Sequence, residues 1–334
     1  MASTTVVIPF ALPPKELAAQ INRPLQAPSL AALLSRNNLH ERRRFESDAR
    51  VLPHESWLSP GHDDAPLAAA VMSGFGMAQG EGYWFIVHPV HVQLARTHLI
   101  MADPRNLQLD EADSRALFEV VKPYFNHLLY GDANTWFMRA DDWSGLDTAS
   151  PDAAMGNNLA DWMPTGSNAL GFKKLQNEVQ MLWHEHPVNM AREARRLPPV
   201  NSFWMWGGAQ AAGPTAPAAP VLVSSAPSWM AALGTPELRD GDVTRLLAVA
   251  GERRTAVLGH LLPAGLANDW GGWLAGMQYL EQEWFAPLLA AVRDGRIGDL
   301  TLVLTDRDGV TSFRTNKMAL RQFWRKQTLK NLST

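Results

Sequence analysis

The chain has 334 residues, 46% of them hydrophobic and 19% charged, with a net charge of -3. This is a globular profile, long enough for two subdomains, and it offers nucleic acid no general attraction. With 0 cysteines, disulfides, thiolate nucleophiles and Cys-ligated metals are excluded, so any metal would rest on His, Asp or Glu.

The opening "MASTTVVIPFALPP" lacks the basic flank and the apolar length of a signal peptide, and no window approaches eighteen apolar residues. A cytoplasmic protein with no membrane partner is expected. "TTVVIPF" (Thr4–Phe10) is β-branched, bounded by prolines, and reads as a buried first strand. "SLAALLSR" follows as a helix with Ser29 as its N-cap, running into the charged "HERRRFESDAR", which reads as a solvated helix face.

From Gly82, "YWFIVHPVHVQLARTHLIMADP" is strand-like, "QLDEADSRALFEVVKPYF" has the periodicity of an amphipathic helix, and "NTWFMRA" is a further strand. These make a small α+β unit, assigned to residues 79–168, inserted between residues 1–78 and 169–334 of a larger domain. The Gly-rich "GFGMAQGEG" lacks the Lys-Ser/Thr of a phosphate-binding loop and reads as a turn.

The helix "GFKKLQNEVQMLWHEH" leads into "PVNMAREARRLPPVNSFWMWGG". Two readings stand for this stretch. Asn189 and Asn201 satisfy local backbone at a helix-to-strand joint, or Asn189, Arg192, Arg195 and Asn201 hold a phosphate or carboxylate. Beyond the Gly/Ala/Pro-rich "GGAQAAGPTAPAAP", strands "VLVSS", "RTAVLGHLL" and "DLTLVLTD" alternate with helices, the longest through "WLAGMQYLEQEWFAPLLAAVRDG". Alternation of this kind predicts an α/β core with a mostly parallel sheet and helices on both faces. The 13 tryptophans are read as core, with indole N–H groups seeking acceptors.

The segment "HPVNMAREARRLPPVNSFWMWGG" resembles the "HPVN..R...G..PAN" segment of archaeal-type cofactor-independent phosphoglycerate mutases, in the alkaline phosphatase superfamily. Together with "ADPRNLQLDEADSRALF" and "WFAPLLAAVRDGRIGDLTL" it looks still more like the bacterial RpfE-type regulatory proteins. The resemblance implies an alkaline-phosphatase-like core and two divalent cations, manganese or zinc, in an active relative.

Position by position, the implied ligands are thin. The Asp-Gly that follows the first strand in the mutases is Pro9-Phe10 here, and the nearest counterpart of their nucleophile is Ser59 in "WLSPGHDD". Of the later ligands, His260 and Asp306 stand as remnants, while the final His is Arg307. Arg307 places a permanent positive charge where a cation would sit, which favours an anion instead. The expectation is a degenerate relative without bound cofactor, regulatory or ligand-binding, with Asn189, Arg192, Arg195, Asn201 and Arg307 as contacts for an anionic small molecule. The alternatives are a divergent metal-dependent mutase or phosphatase using Ser59, and a protein-interaction module built on the tryptophans and the loop near 207–220.

Overall fold

The computed structural model describes residues 2–46, 48–59, 64–77, 80–211 and 219–333. Its strands in chain order are β1 (Ser3–Ile8), β2 (Leu39–Arg44), β3 (Tyr83–Val90), β4 (Val92–Ala95), β5 (His98–Met101), β6 (Leu128–Asp132), β7 (Thr135–Arg139), β8 (Ser202–Gln210), β9 (Val221–Ser224), β10 (Arg253–Leu258), β11 (Asp299–Thr305) and β12 (Gly309–Asn316). The chain divides into two compact units, Met1–Ser47 with Ala216–Thr334, and Asp48–Thr215.

The first unit carries a six-stranded sheet in the order β2-β12-β11-β1-β10-β9. β11, β1, β10 and β9 run parallel, and β12 and β2 extend the sheet antiparallel at one edge. In the centre, Val6 lies opposite Ala256 and Leu302, and Val7 opposite Val257 and Val303. All six are buried, so both faces are closed to solvent here, which is why the second half of β1, Val6–Ile8, is continuously apolar and does not alternate. Ile8, Leu258 and Leu302 share a core with Leu30, Leu33 and Leu34 of the helix Pro28–Ser35 and with Trp273, Met277 and Leu280 of the helix Trp270–Leu280.

Three details differ from the sequence reading. The charged run after residue 38 is an edge strand, not a helix face: its residues 39–44 pair with β12, and the exposed charges guard a sheet edge. Ser29 is not the cap of its helix. Pro28 occupies the first turn, and the carboxylate of Glu281 accepts from the amides of Ser29 at 2.7 Å and Leu30 at 3.0 Å. The long C-terminal helix widens to a π-turn at Glu281–Phe285 before the helix Ala286–Asp294. Pro287 supplies the reason, since it has no N–H to continue the α ladder.

The second unit holds an antiparallel sheet in the order β6-β7-β3-β8, plus the β4-β5 hairpin. Phe203 and Met205 join Phe85, Val87, Trp136 and Met138 in a core closed by Phe118 and Val121 of the helix Glu111–Val121 and by Phe172, Val179 and Trp183 of the helix Ala169–His184. The unit reaches beyond the boundaries 79 and 168 drawn from the sequence. β8 pairs with β3 along its length, so residues 169–210 pack on this sheet. The continuous large apolar run Phe203–Trp206 fits a strand buried on both faces.

Several buried tryptophans find acceptors: Trp183 Nε1 donates to Leu117 O at 3.0 Å, Trp204 Nε1 to Ala149 O at 2.7 Å, and Trp273 Nε1 to Phe10 O at 2.7 Å, whereas the buried indole nitrogens of Trp84 and Trp136 have no hydrogen-bond partner. Among the described residues no helix is long and apolar enough to cross a membrane.

Candidate functional site

In a parallel sheet the loops after the strands' C-terminal ends are where ligands collect. In the first unit those ends carry Phe10 after β1, His260 after β10 and Asp306 after β11. β1 lies between β10 and β11, so His260 and Asp306 stand two strands apart, roughly 10 Å by strand spacing. Between those two strand ends β1 leads into Phe10, whose left-handed backbone (φ 56) is fixed by its amide donating to Thr305 Oγ1 at 3.2 Å and its carbonyl accepting from Trp273. Gly265 makes room for this turn: a Cβ there would lie 2.4 Å from that of Phe10.

The two flanking residues are engaged with protein. Asp306 Oδ2 accepts from Arg42 Nη2 at 3.1 Å and Oδ1 from the Asp308 amide at 2.8 Å. Burial pushes its carboxyl upward, against the pull of that amide and Arg42. The His260 ring stacks on Tyr279 with centroids 5.0 Å apart, and burial depresses its basicity. Arg307 is exposed beside Asp306. Two divalent cations need several anionic or imidazole donors each. One guanidinium-paired carboxylate and one histidine two strands away do not fit that requirement.

The "PVN" tripeptides resolve into a structural joint. Asn189, buried at the start of the helix Pro187–Ala194, donates through Nδ2 to Trp183 O at 2.7 Å and Val200 O at 2.8 Å, while Oδ1 accepts from Val200 N at 2.8 Å. Asn201 does the same for Val92, accepting from its amide and donating to its carbonyl, both at 2.7 Å. Each asparagine closes a two-bond ring with one residue, as a neighbouring strand would. The fully buried Arg192 donates to Pro198 O at 3.1 Å, Gln108 O at 3.4 Å and Leu107 O. Arg195 is exposed as the helix ends and Arg196 turns left-handed (φ 59). Of the anion contacts expected from sequence, the structure brings Asn189 and Arg192 together, but with their polar groups turned to backbone. Arg307 belongs to the other unit.

Ser59, also buried, closes the short helix Pro53–Leu58, its amide donating to Ser56 O at 3.1 Å. It lies in the unit that lacks His260 and Asp306. Pro60, His62 and Asp63 of the same motif lie outside the described residues.

Five residues before Ser59 begins a cluster that the sequence reading passed over. His54 and Glu55 in this helix meet Asp152 of the helix Pro151–Ala154, and ligand atoms of the three lie within 4.8 Å of one another. Arg105 Nη1 donates to Asp152 Oδ1 at 2.9 Å, and its Nε lies 2.8 Å from Asp103 Oδ1. Glu55 Oε2 accepts from the Leu52 amide at 2.6 Å. Burial first, then the neighbouring Asp152, pushes Glu55 up to about 8, against the Leu52 amide, Ser150 and Arg105. Burial, reinforced by Arg105, holds His54 down to about 3. Beside them, His88 Nδ1 meets Asn134 O at 2.6 Å and its Nε2 accepts from Trp206 Nε1 at 2.9 Å, which fixes a neutral tautomer. The available signal was the pair of proline-led turns, "PHE" and "SPD", each placing an acid early in a helix; only the fold reveals that they converge.

The fold and these sites define a mixed α/β protein with a mostly parallel central sheet and an inserted antiparallel α+β unit. In sequence it is similar to a probable 2,3-bisphosphoglycerate-independent phosphoglycerate mutase of Geobacter sulfurreducens, with 25% identity over 156 residues, 44% of this chain and 38% of that protein. It is also 35% identical over 57 residues to the 2,3-bisphosphoglycerate-independent phosphoglycerate mutase of Methanothrix thermoacetophila, covering 17% of this chain and 14% of that one. The matches therefore span well under half of either relative. Among solved structures, the PH0037 protein of Pyrococcus horikoshii superposes with a TM-score of 0.55 at 11% identity, over 94% of this chain and 87% of that chain. The cofactor-independent phosphoglycerate mutase of Thermoplasma acidophilum gives 0.45 at 11% identity, over 99% and 94%. No family model matches the chain.

Proposed function

We propose that this chain is an RpfE-type, phosphoglycerate-mutase-like protein that no longer performs two-metal phosphoryl transfer and acts as a regulatory protein binding a phosphorylated or carboxylate small molecule. The observation that carries this reading is the donor set at the strand ends: Phe10 on the central strand, Asp306 tied to Arg42, and His260 stacked on Tyr279. Similarity to phosphoglycerate mutases over part of the chain supplies the ancestry. Asn189, Arg192 and Asn201 are engaged with backbone, and the exposed Arg195 and Arg307 are the proposed anion contacts, Arg307 adjoining Asp306 in the chain.

A coupled phosphoglycerate mutase assay on protein loaded with manganese or zinc, beside a chelator-stripped sample, tests the first half. No turnover is expected in either; metal-dependent turnover that Ser59→Ala abolishes would establish the enzyme instead. The second half is read by thermal shift with 3-phosphoglycerate and inorganic phosphate, where Arg307→Ala is expected to remove the stabilisation. A partner-binding reading draws support from Met318, Phe323 and Trp324, 78%, 80% and 70% exposed, on a segment with Lys317, Arg321, Arg325 and Lys326 and no acid. Such a surface suits an acidic protein partner.

A further inference from the structure

We propose that His54, Glu55 and Asp152 form a binding site for one divalent transition-metal ion, a structural site within the Asp48–Thr215 unit and separate from the strand ends discussed above. Each residue offers one ligand atom, and all three atoms lie within 4.8 Å of one another. Across an ion with arms of about 2.0–2.2 Å, ligand atoms are separated by up to roughly 4.4 Å, so small side-chain rotations close the set.

The second observation lies in what the protein leaves undone. Arg105 holds Asp152 through Oδ1 and the Leu52 amide holds Glu55 through Oε2. The other oxygen of each, Asp152 Oδ2 and Glu55 Oε1, is buried without a hydrogen-bond partner. Both residues are at least nine-tenths buried, at 3% and 0% exposure. Buried carboxylate oxygens without partners are uncommon because their desolvation goes uncompensated. Here two of them belong to the same cluster as an imidazole.

Charge balance points the same way. With their carboxyls ionised, Glu55, Asp152 and Asp103 set three negative charges against the single guanidinium of Arg105, and a dication brings the buried group to neutrality. One imidazole nitrogen and two carboxylate oxygens suit zinc or manganese, and the absence of cysteine leaves these as the available donor types. Bound there, the ion would tie the turn at 53–55 to the turn at 150–152, fixing two short helices that lack the length to be stable alone.

The test uses the full chain, stripped with chelator and dialysed against Zn2+ and, separately, Mn2+, with bound metal counted by elemental analysis. The wild type is expected to hold one more ion per chain than Glu55→Gln and than His54→Gln, and to gain thermal stability on loading that neither variant shows. The two variants guard against one failing to fold, which circular dichroism reports. Equal metal content in wild type and folded variants overturns the site, as does a wild type that retains none; the carboxyls of Glu55 and Asp152 would then share a proton. Because the readout is stoichiometry and not turnover, the outcome is independent of the mutase assay.

Discussion

Replacing Asn189 with alanine separates a structural joint from an anion site. In the fold its side chain makes three bonds of 2.7–2.8 Å, two to the backbone of Val200 and one to Trp183 O. Each such bond contributes about 1 kcal/mol net, and the Val200 amide and two carbonyls left orphaned in the interior add a desolvation penalty, so the loss is about 3–5 kcal/mol. For a unit of this size the urea m-value is roughly 2–3 kcal/mol/M, and the midpoint of its transition moves down by about 1–2 M. Urea unfolding followed by tryptophan fluorescence reads this directly, because Trp183 is one of the residues the asparagine holds. Asn189→Asp keeps an acceptor for the Val200 amide but turns a carboxylate toward two carbonyls, and is expected to be no better than alanine. A midpoint for Asn189→Ala within about 0.2 M of the wild type, which at that m-value is the ~0.5 kcal/mol of an ordinary surface change, would refute the joint.

Other perturbations probe other parts. Glu281→Ala removes the carboxylate that caps the helix Pro28–Ser35 through Ser29 and Leu30, and is expected to lower the stability of the first unit by about 1–3 kcal/mol in chemical denaturation. Arg196→Gly relieves a left-handed residue at an exposed helix end and is expected to raise the melting temperature, by the equivalent of about 0.5–1 kcal/mol. His88 titrates with a definite sign. Burial lowers its folded pKa below the usual value of 6.5, outweighing the Asn134 carbonyl, Asp132 and Asp152, which favour the proton. The unfolded chain therefore binds a proton the fold resists, and stability falls as pH drops below about 6.5 toward the folded pKa. A pH series of urea midpoints should flatten over that window in His88→Gln; an unchanged slope would remove His88 from the acid response.

Most of the parallel sheet was legible because burial on both faces writes continuous apolar runs: β1, β10 and β11 stand where "TTVVI", "TAVL" and "LTLVL" predicted. The edge strand β2 and the antiparallel β12 beside it were not. Residues 39–44 carry charge because an edge faces water, and "GVTSFRTN" of β12 mixes polar and apolar residues, so neither announces a strand. The apolar run in "SFWMWGG" was visible, but its partner β3, more than a hundred residues away, decides which unit it joins. The buried cluster was hidden for a related reason: His54 and Asp152 are brought together by tertiary packing, and each short turn alone looks like an ordinary helix start.

The strongest sequence signal, the twin "PVN", turned out to encode backbone geometry. A side-chain amide offers the same donor and acceptor pair as a peptide unit, so an asparagine placed where a strand cannot reach continues its hydrogen-bond pattern. Asn201 does this beside Val92 at the start of β4, and Asn189 beside Val200 at the entrance of β8. Glutamine is too long for either ring and aspartate lacks the donor, so such a position is as restrictive as a ligand contact. A segment can then match those of phosphoglycerate mutases on requirements of the joint alone, while the chemistry at the strand ends changes independently. In this chain the two places are held by different residues: Asn189, which closes the joint on Val200, and Phe10, whose amide donates to Thr305 after the central strand.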